Sequence, residues 1–222
     1  MFEDFRKYFR SKHPFKMTSF DDRMRRPTNV LSPYILEERE MHVTQMDVFS
    51  RLMAERIIMF ADEVNSDTAA VLVAQLQYLS AAGEGDISLL INSPGGEVMS
   101  GYGIISTMNY VNCDIRTQNI GMCASMGAMI LMCGEKGKRG ALKYTRTMIH
   151  QPLGGVSGQA SDIEIEANEI IKIKGELYDI IHEQTGQPIE KIREDADRNY
   201  WMTPEEALKY GIIDEVFEKQ KP

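Results

Sequence analysis

The chain has 222 residues, 43% of them apolar and 26% charged, with a formal net charge of −8. Such a length and apolar share suffice for one large domain, or a domain with an appended arm, and exclude disorder of the whole chain. The acidic balance argues against nucleic acid or an anionic membrane surface as partner, and without an apolar run of about 18 residues no transmembrane helix is expected.

Residues 1–30 hold eight Lys/Arg and four Asp/Glu, a net of +4, which leaves −12 for the remainder. They contain no apolar h-region, and Glu3 and Asp4 count against a mitochondrial presequence. This arm reads as a variable or removable leader, with residues 31–222 as the folded domain. ERIIMF at 55–60 ends in an apolar run that reads as a buried strand. Ser66 or Asp67 is placed to cap a helix with Ala70, Leu72, Val73, Leu76 and Leu79 as apolar positions. ISLLIN (87–92) is the next strand and stops at SPGG. A helix with Met99, Ile104, Ile105 and Met108 follows, then a strand over IRTQNI (115–120) and a helix over 125–133. This alternation predicts an α/β fold with a parallel sheet and helices on both faces. In such sheets ligands sit at the carboxyl ends of strands, where the turns SPGG and GMCASMG both fall.

After Gly134 the charged loop EKGKRG leads to two extended pieces, ALKYT and RTMIH. QPLGGVSGQ is too glycine-rich for a regular element and offers backbone edge groups to an extended chain. Residues 161–185 carry the longest helical pattern. Ile163, Ala167, Ile170, Ile171, Ile173, Leu177, Tyr178, Ile180 and Ile181 cover about half its circumference. That breadth suits either a helix buried deep in its own domain or one whose spare flank meets another subunit. Thr203-Pro204-Glu205-Glu206 reads as an N-cap with proline at the first helical position. Gly211 stops that helix, and IIDEVF is a last strand. Cys113, Cys123 and Cys133 fit no metal motif and read as free thiols in a reducing cytoplasm. No metal, flavin, nucleotide or other cofactor motif appears.

A serine is a poor nucleophile unless a base takes its proton. Ser125 opens an apolar helix after a strand, which presents its hydroxyl beside the free N–H groups of the helix start. Taken alone it reads equally as a helix cap. His150 ends the extended segment MIH, whereas His182 lies on the polar side of the long helix. Gly95-Gly96 forms a close-approach turn whose amides can join that of Met126 around an oxyanion. Read blandly, the pair is an ordinary turn.

LLINSPGG, GMCASMGA, GEKGKRGAL, MIHQPLGG and the TGQPIEKI…YWMTPEEALKYGIIDEV tail, in this order, resemble the proteolytic subunits of the Clp protease, the ClpP family. The likeness runs from about Ser32 to the C-terminus. It is nearest to the Bacteroidetes-type members, through PYILEERE, VTQMDVFSRLM and YWMT. It implies a crotonase-like fold with a protruding handle over about 155–190, formed by the long helix. It also implies a serine endopeptidase without a cofactor, in rings of seven stacked into a barrel of fourteen. A Clp-family AAA+ unfoldase such as ClpX, ClpA or ClpC would feed unfolded polypeptides inside. By this resemblance the nucleophile falls on Ser125 and the base on His150. The oxyanion amides fall on Gly96 and Met126. The substrate-aligning backbone falls around Gly95, Glu97 and Val98 and on Pro152, Leu153, Gly154 and Gly155.

The resemblance departs at the third catalytic position, where the family's aspartate falls on Asn199. An asparagine still accepts from an imidazole N–H but supplies no charge. Three readings follow: Asn199 orients His150 in a weakly active subunit, Asp195 substitutes as the acid, or the subunit is an inactive ring component beside an active ClpP paralogue in a hetero-oligomer. A second departure is Gly140, where the family usually carries an aromatic. An acyl-CoA enzyme of the crotonase type shares the expected fold but needs an adenine-nucleotide site that the sequence does not display.

Overall fold

The computed structural model describes residues 34–39 and 42–218, so the expected arm at 1–30 lies outside the described residues. Two compact units divide at Val48/Phe49. In the first, β1 (Tyr34–Arg39) pairs antiparallel with β2 (His42–Asp47), in a register running from Tyr34 opposite Asp47 to Arg39 opposite His42. This ladder was not predicted.

The second unit is an α/β domain around a seven-stranded sheet flanked by helices. Helix α1 (Val48–Ala54) leads to β3 (Ile57–Phe60), followed by α2 (Ser66–Ala82), β4 (Ile87–Ser93), α3 (Val98–Tyr110), β5 (Ile115–Ala124) and α4 (Met126–Met132). The α2 cap is Asn65, one residue before the expected position. Its Oδ1 accepts from the backbone of Asp67 and Thr68, and its own N–H donates to Thr68 Oγ1. The reciprocal bonds satisfy orphan N–H groups of the first turn. The buried stripe of α2 is Ala69, Leu72, Leu76 and Leu79, so it begins at Ala69 and Ala70 is exposed. Ile87, Leu89, Ile91 and Ser93 of β4 alternate inward, as strand geometry requires. Helix α4 is buried along its whole length and forms the centre of the core with Leu76, Leu89, Ile91 and Ile104.

Strands β3, β4 and β5 run parallel in that order. Strand β5 extends four residues past the predicted end and contains an irregularity. Ile91 pairs with Asn119, but Ser93 pairs with Cys123, so β5 inserts extra residues against β4. Asn92 Oδ1 fills the gap by accepting from Met122 N at 2.9 Å. Gly121 is needed there, because a Cβ would come within 2.6 Å of that oxygen. The bulge lets β5 serve two neighbours. Gln118 and Asn119 pair with Gly140 and Ala141 of β6 (Gly140–Leu142), while Met122–Ala124 pair with β7 (Arg146–Ile149). The ends of β5 and β7 thereby become adjacent.

Strand β6 also pairs with β9 (Glu215–Phe217), the end of the predicted IIDEVF strand. A Cβ on Gly140 would meet the Phe217 ring at 2.2 Å. The Phe217 ring thus leaves no room for a side chain at 140. A guanidinium locks this edge. Arg139 Nε and Nη2 grip Asp214 at 2.9 and 2.6 Å, and its Nη1 donates to Met132 O and Gln184 O near the carboxyl ends of two helices. A fork with five donors suits this combination, and a cation is favoured at helix C-termini.

Helix α5 (Ala160–Thr185) spans 26 residues and ends at Gly186, whose φ of 74° is left-handed. Only Leu177, Tyr178 and Ile181 are buried. Ile163, Ile165 and Ile171 are exposed. The described residues therefore leave apolar side chains in the first half of this helix uncovered. Helix α6 (Ile189–Asp195), strand β8 (Tyr200–Met202) and helix α7 (Pro204–Tyr210) follow. The predicted box at Thr203 forms with Glu206, and Gly211 ends α7 with φ 94°. No described helix is long and apolar enough to cross a membrane.

Candidate active site

Ser125 stands at the corner between β5 and α4 with φ 53° and ψ −123°, a strained backbone for a residue with a Cβ. Surrounding bonds hold it there. Its N–H donates to Met148 O of β7 at 2.9 Å, and its own carbonyl accepts from Ala128 and Met129 at the start of α4. The corner requires a neighbour without a side chain: a Cβ on Gly95 would lie 2.5 Å from Ala124 O and 2.7 Å from the Ser125 Cβ.

The Gly95-Gly96 turn is pinned to Val64, two residues before α2. Val64 N donates to Gly95 O and Glu97 N to Val64 O, both at 2.8 Å. A Cβ on Gly96 would fall 2.1 Å from Val64 O. Gly95 N donates to the buried Ser93 Oγ at 3.1 Å. The N–H groups of Gly96 and Met126 find no acceptor among the described residues. Free amides flanking a serine hydroxyl are suited to a developing negative charge.

His150 follows β7 directly. Its Nε2 lies 2.9 Å from Ser125 Oγ, and its Nδ1 lies 3.0 Å from Asn199 Oδ1. Strand β8 explains the second contact. It pairs antiparallel with β7, Ile149 opposite Tyr200, so the next residues outward, 150 and 199, also stand opposite. An amide oxygen only accepts, so Nδ1 carries the proton and Nε2 offers its lone pair to the serine hydroxyl. The arrangement can withdraw a proton from the alcohol.

Asp195 does not take part. Its Oδ2 is 2.6 Å from Lys191 Nζ and accepts from the Tyr210 hydroxyl at 3.0 Å. Burial, followed by the bond to Asp195, pushes the Tyr210 phenol well above its ordinary pKa. The idea that Asp195 substitutes as the acid fails for this reason.

Spacing did not reveal Gln151. Its backbone N–H donates to Ala196 O at 2.6 Å and its Nε2 to Asp197 O at 2.8 Å, while Lys174 Nζ on α5 donates to its Oε1 at 2.7 Å. These bonds tie the His150 segment, the Asn199 segment and the long helix together. Nothing local in the sequence marks such a bridge.

Val98 and Pro152, two of the expected substrate-contacting residues, line a small cavity beside Ser125 and His150. Its apolar walls include Met126, Met129, Ile149 and Leu177. Gly95, Glu97, Leu153, Gly154 and Gly155 do not line it. Glu97 accepts from Ser100 Oγ, and Leu153 and Gly155 are exposed. Gly154 rests on α5, where a Cβ would meet Ile170 Cδ1 at 2.8 Å. No cluster of three or more His, Cys, Asp or Glu able to hold a metal ion occurs among the described residues.

The sequence model of the Clp protease family matches residues 38–220. An ATP-dependent Clp protease proteolytic subunit of Porphyromonas gingivalis is 51% identical over 219 residues, 98% of this chain and 99% of the relative. One of Bacteroides fragilis is also 51% identical, over 98% of this chain and the whole relative. Proteolytic subunit 2 of Bacillus licheniformis is 52% identical over 185 residues, 83% of this chain and 97% of that one.

Proposed function

The chain belongs to the Clp protease family, and from that premise we propose that it is a serine endopeptidase acting through Ser125, His150 and Asn199. The observation that carries the reading is the row Ser125 Oγ, His150 Nε2, His150 Nδ1 and Asn199 Oδ1, with contacts of 2.9 and 3.0 Å. His150 takes the hydroxyl proton as the serine oxygen attacks the scissile carbonyl. Gly96 N–H and Met126 N–H hold the oxyanion. His150 then hands its proton to the leaving amine, the C–N bond breaks and an acyl-enzyme remains. Water, deprotonated by the same imidazole, releases the acid and restores Ser125. The turns holding Gly95, Glu97 and Val98, and the loop Pro152–Gly155, align the substrate backbone on either side.

Asn199 stands where the family's aspartate is expected. It sets the tautomer of His150 but offers no negative charge to the imidazolium. In a serine protease of another fold the change from Asp to Asn lowers turnover about 10⁴-fold while geometry persists. Slow rather than absent chemistry follows. A purely structural ring component is the weaker reading, because the Ser125–His150 contact and the amides of Gly96 and Met126, without acceptors among the described residues, favour chemistry. The acyl-CoA reading fails against relatives above 50% identity that are named as proteolytic subunits.

Assembly follows from the family, and the uncovered isoleucines of α5 support it, since exposed apolar patches mark contact surfaces. In our reading two heptameric rings meet through these helices, in a homo-oligomer or beside a paralogue. The chamber lies in the cytoplasm, and a Clp AAA+ unfoldase supplies unfolded chains. Labelling of the assembled protein with a fluorophosphonate tests the chemistry. Adduct at Ser125, lost in Ser125→Ala and strongly slowed in His150→Ala, is expected. Absence of label in an intact assembly would overturn the reading.

A further inference from the structure

Helix α5 buries three residues, and one of them, Tyr178, is polar. It is 4% exposed, and its hydroxyl has no hydrogen-bond partner among the described residues. Leaving a buried hydroxyl without a partner is destabilising, so its retention calls for a reason. Tyr178 lines the cavity beside the serine, together with Val98, Met126, Met129, Ile149 and Leu177. The remaining polar side chains on that lining are Ser125 and His150, both engaged with each other. Lys174 Nζ sits 5.6 Å from the centre of the Tyr178 ring and spends a proton on Gln151 Oε1, so the ring is held from the side of the His150 segment.

The cavity has a volume of about 20 Å³, room for roughly one water-sized group. Met126 and Met129 give its walls some adaptability, but a large aromatic side chain would have to displace Tyr178 itself. We propose that Tyr178 is the specificity-determining residue of the pocket receiving the side chain on the acyl side of the scissile bond. Its ring limits that side chain to small and medium sizes. Its hydroxyl bonds a polar atom carried by the side chain, so threonine is favoured over the isosteric valine. The inference deepens the peptidase reading and rests on it.

The test uses the assembled full-length protein and matched peptides that differ only in having Thr, Val or Phe at the cleaved position. Wild type should cleave Thr over Val by about 3- to 10-fold in kcat/KM, the range of one neutral hydrogen bond. Tyr178→Phe removes a single oxygen and should bring that ratio to about one, with thermal stability equal or higher. Tyr178→Leu should raise Phe cleavage relative to Val. A Thr/Val ratio near one in wild type, or an equal ratio in Tyr178→Phe, overturns the proposal. Ser125→Ala and fluorophosphonate labelling separate the two levels. Labelling with a flat Thr/Val ratio removes only the role of Tyr178. No hydrolysis and no labelling removes the peptidase reading and this inference together.

Discussion

Asn199 Oδ1 lies 3.0 Å from Nδ1 of His150, the distance of a hydrogen bond but without the charge that would stabilise an imidazolium. Replacing Asn199 by Asp adds that charge without changing the side chain's shape. Turnover of a peptide should rise by one to four orders of magnitude, the upper end being about 10⁴. The rise should appear in kcat, with KM little changed, because the charge acts in the transition state. Steady-state kinetics on both assembled proteins decide it, and equal kcat values would remove Asn199 from the mechanism.

Asp195 is four residues from Asn199 but is committed to Lys191 and Tyr210. Asp195→Asn should leave peptide turnover near the starting value and lower stability by about 1 kcal/mol, since Lys191 is largely solvated. A large fall in kcat with an unchanged denaturation midpoint would instead make Asp195 part of the proton relay.

Burial raises the pKa of Asp214, but the Arg139 side chain, with the backbone N–H groups of Arg139 and Gly137, outweighs it and holds the carboxyl below its ordinary value. A carboxylate lowered on folding adds stability above its unfolded pKa, about 3.9, and loses that stability as pH falls through the folded value. Asp214→Asn should therefore cost about 3 kcal/mol at pH 7, because Arg139 is then left buried without its partner. The gap between variant and wild type should narrow only below about pH 4. Urea denaturation at both pH values measures it, and a gap independent of pH would contradict the ion-pair account.

The thiols should differ sharply. Burial pushes Cys133 up to about 12, with Arg139 pulling weakly the other way, and burial also raises Cys123 well above the ordinary range. Cys113 is half-buried. Iodoacetamide at pH 8 should alkylate Cys113 first and reach the other two only in denaturant. Peptide mass spectrometry with time resolves the order, and early modification of Cys123, two residues from Ser125, would show that the corner opens in solution.

Gly95→Ala should disrupt the corner. A methyl group there meets Ala124 O at 2.5 Å, and the backbone φ of 89° disfavours any side chain. The loss should be at least about 2 kcal/mol, with fluorophosphonate labelling of Ser125 reduced more than folding requires. Gly103→Ala, on the exposed side of α3 with nothing within 4 Å of the added methyl, is the control and should label as wild type.

Much of this protein was legible locally. The β-α alternation, the Thr203-Pro204 helix start, the stop at Gly211 and the apolar breadth of the long helix all rest on contacts a few residues apart. Periodicity and capping report such contacts directly. Misses at this level were small, as with the cap at Asn65 rather than Ser66 or Asp67, where a neighbouring side chain won a local competition. Ser125 and His150 were legible as candidates because each ends a strand, but nothing local joined them.

Their meeting was decided by tertiary structure. The two-for-four mismatch between Ile91–Ser93 and Asn119–Cys123 frees the end of β5 to take β7 as a partner, and the pairing of β7 with β8 sets His150 opposite Asn199. Those registers join residues 24 to 55 positions apart, which no window along the chain contains. The same holds for the unanswered hydroxyl of Tyr178. Its helical position followed from the amino-acid pattern, whereas its lack of a partner among the described residues is a property of everything packed around it.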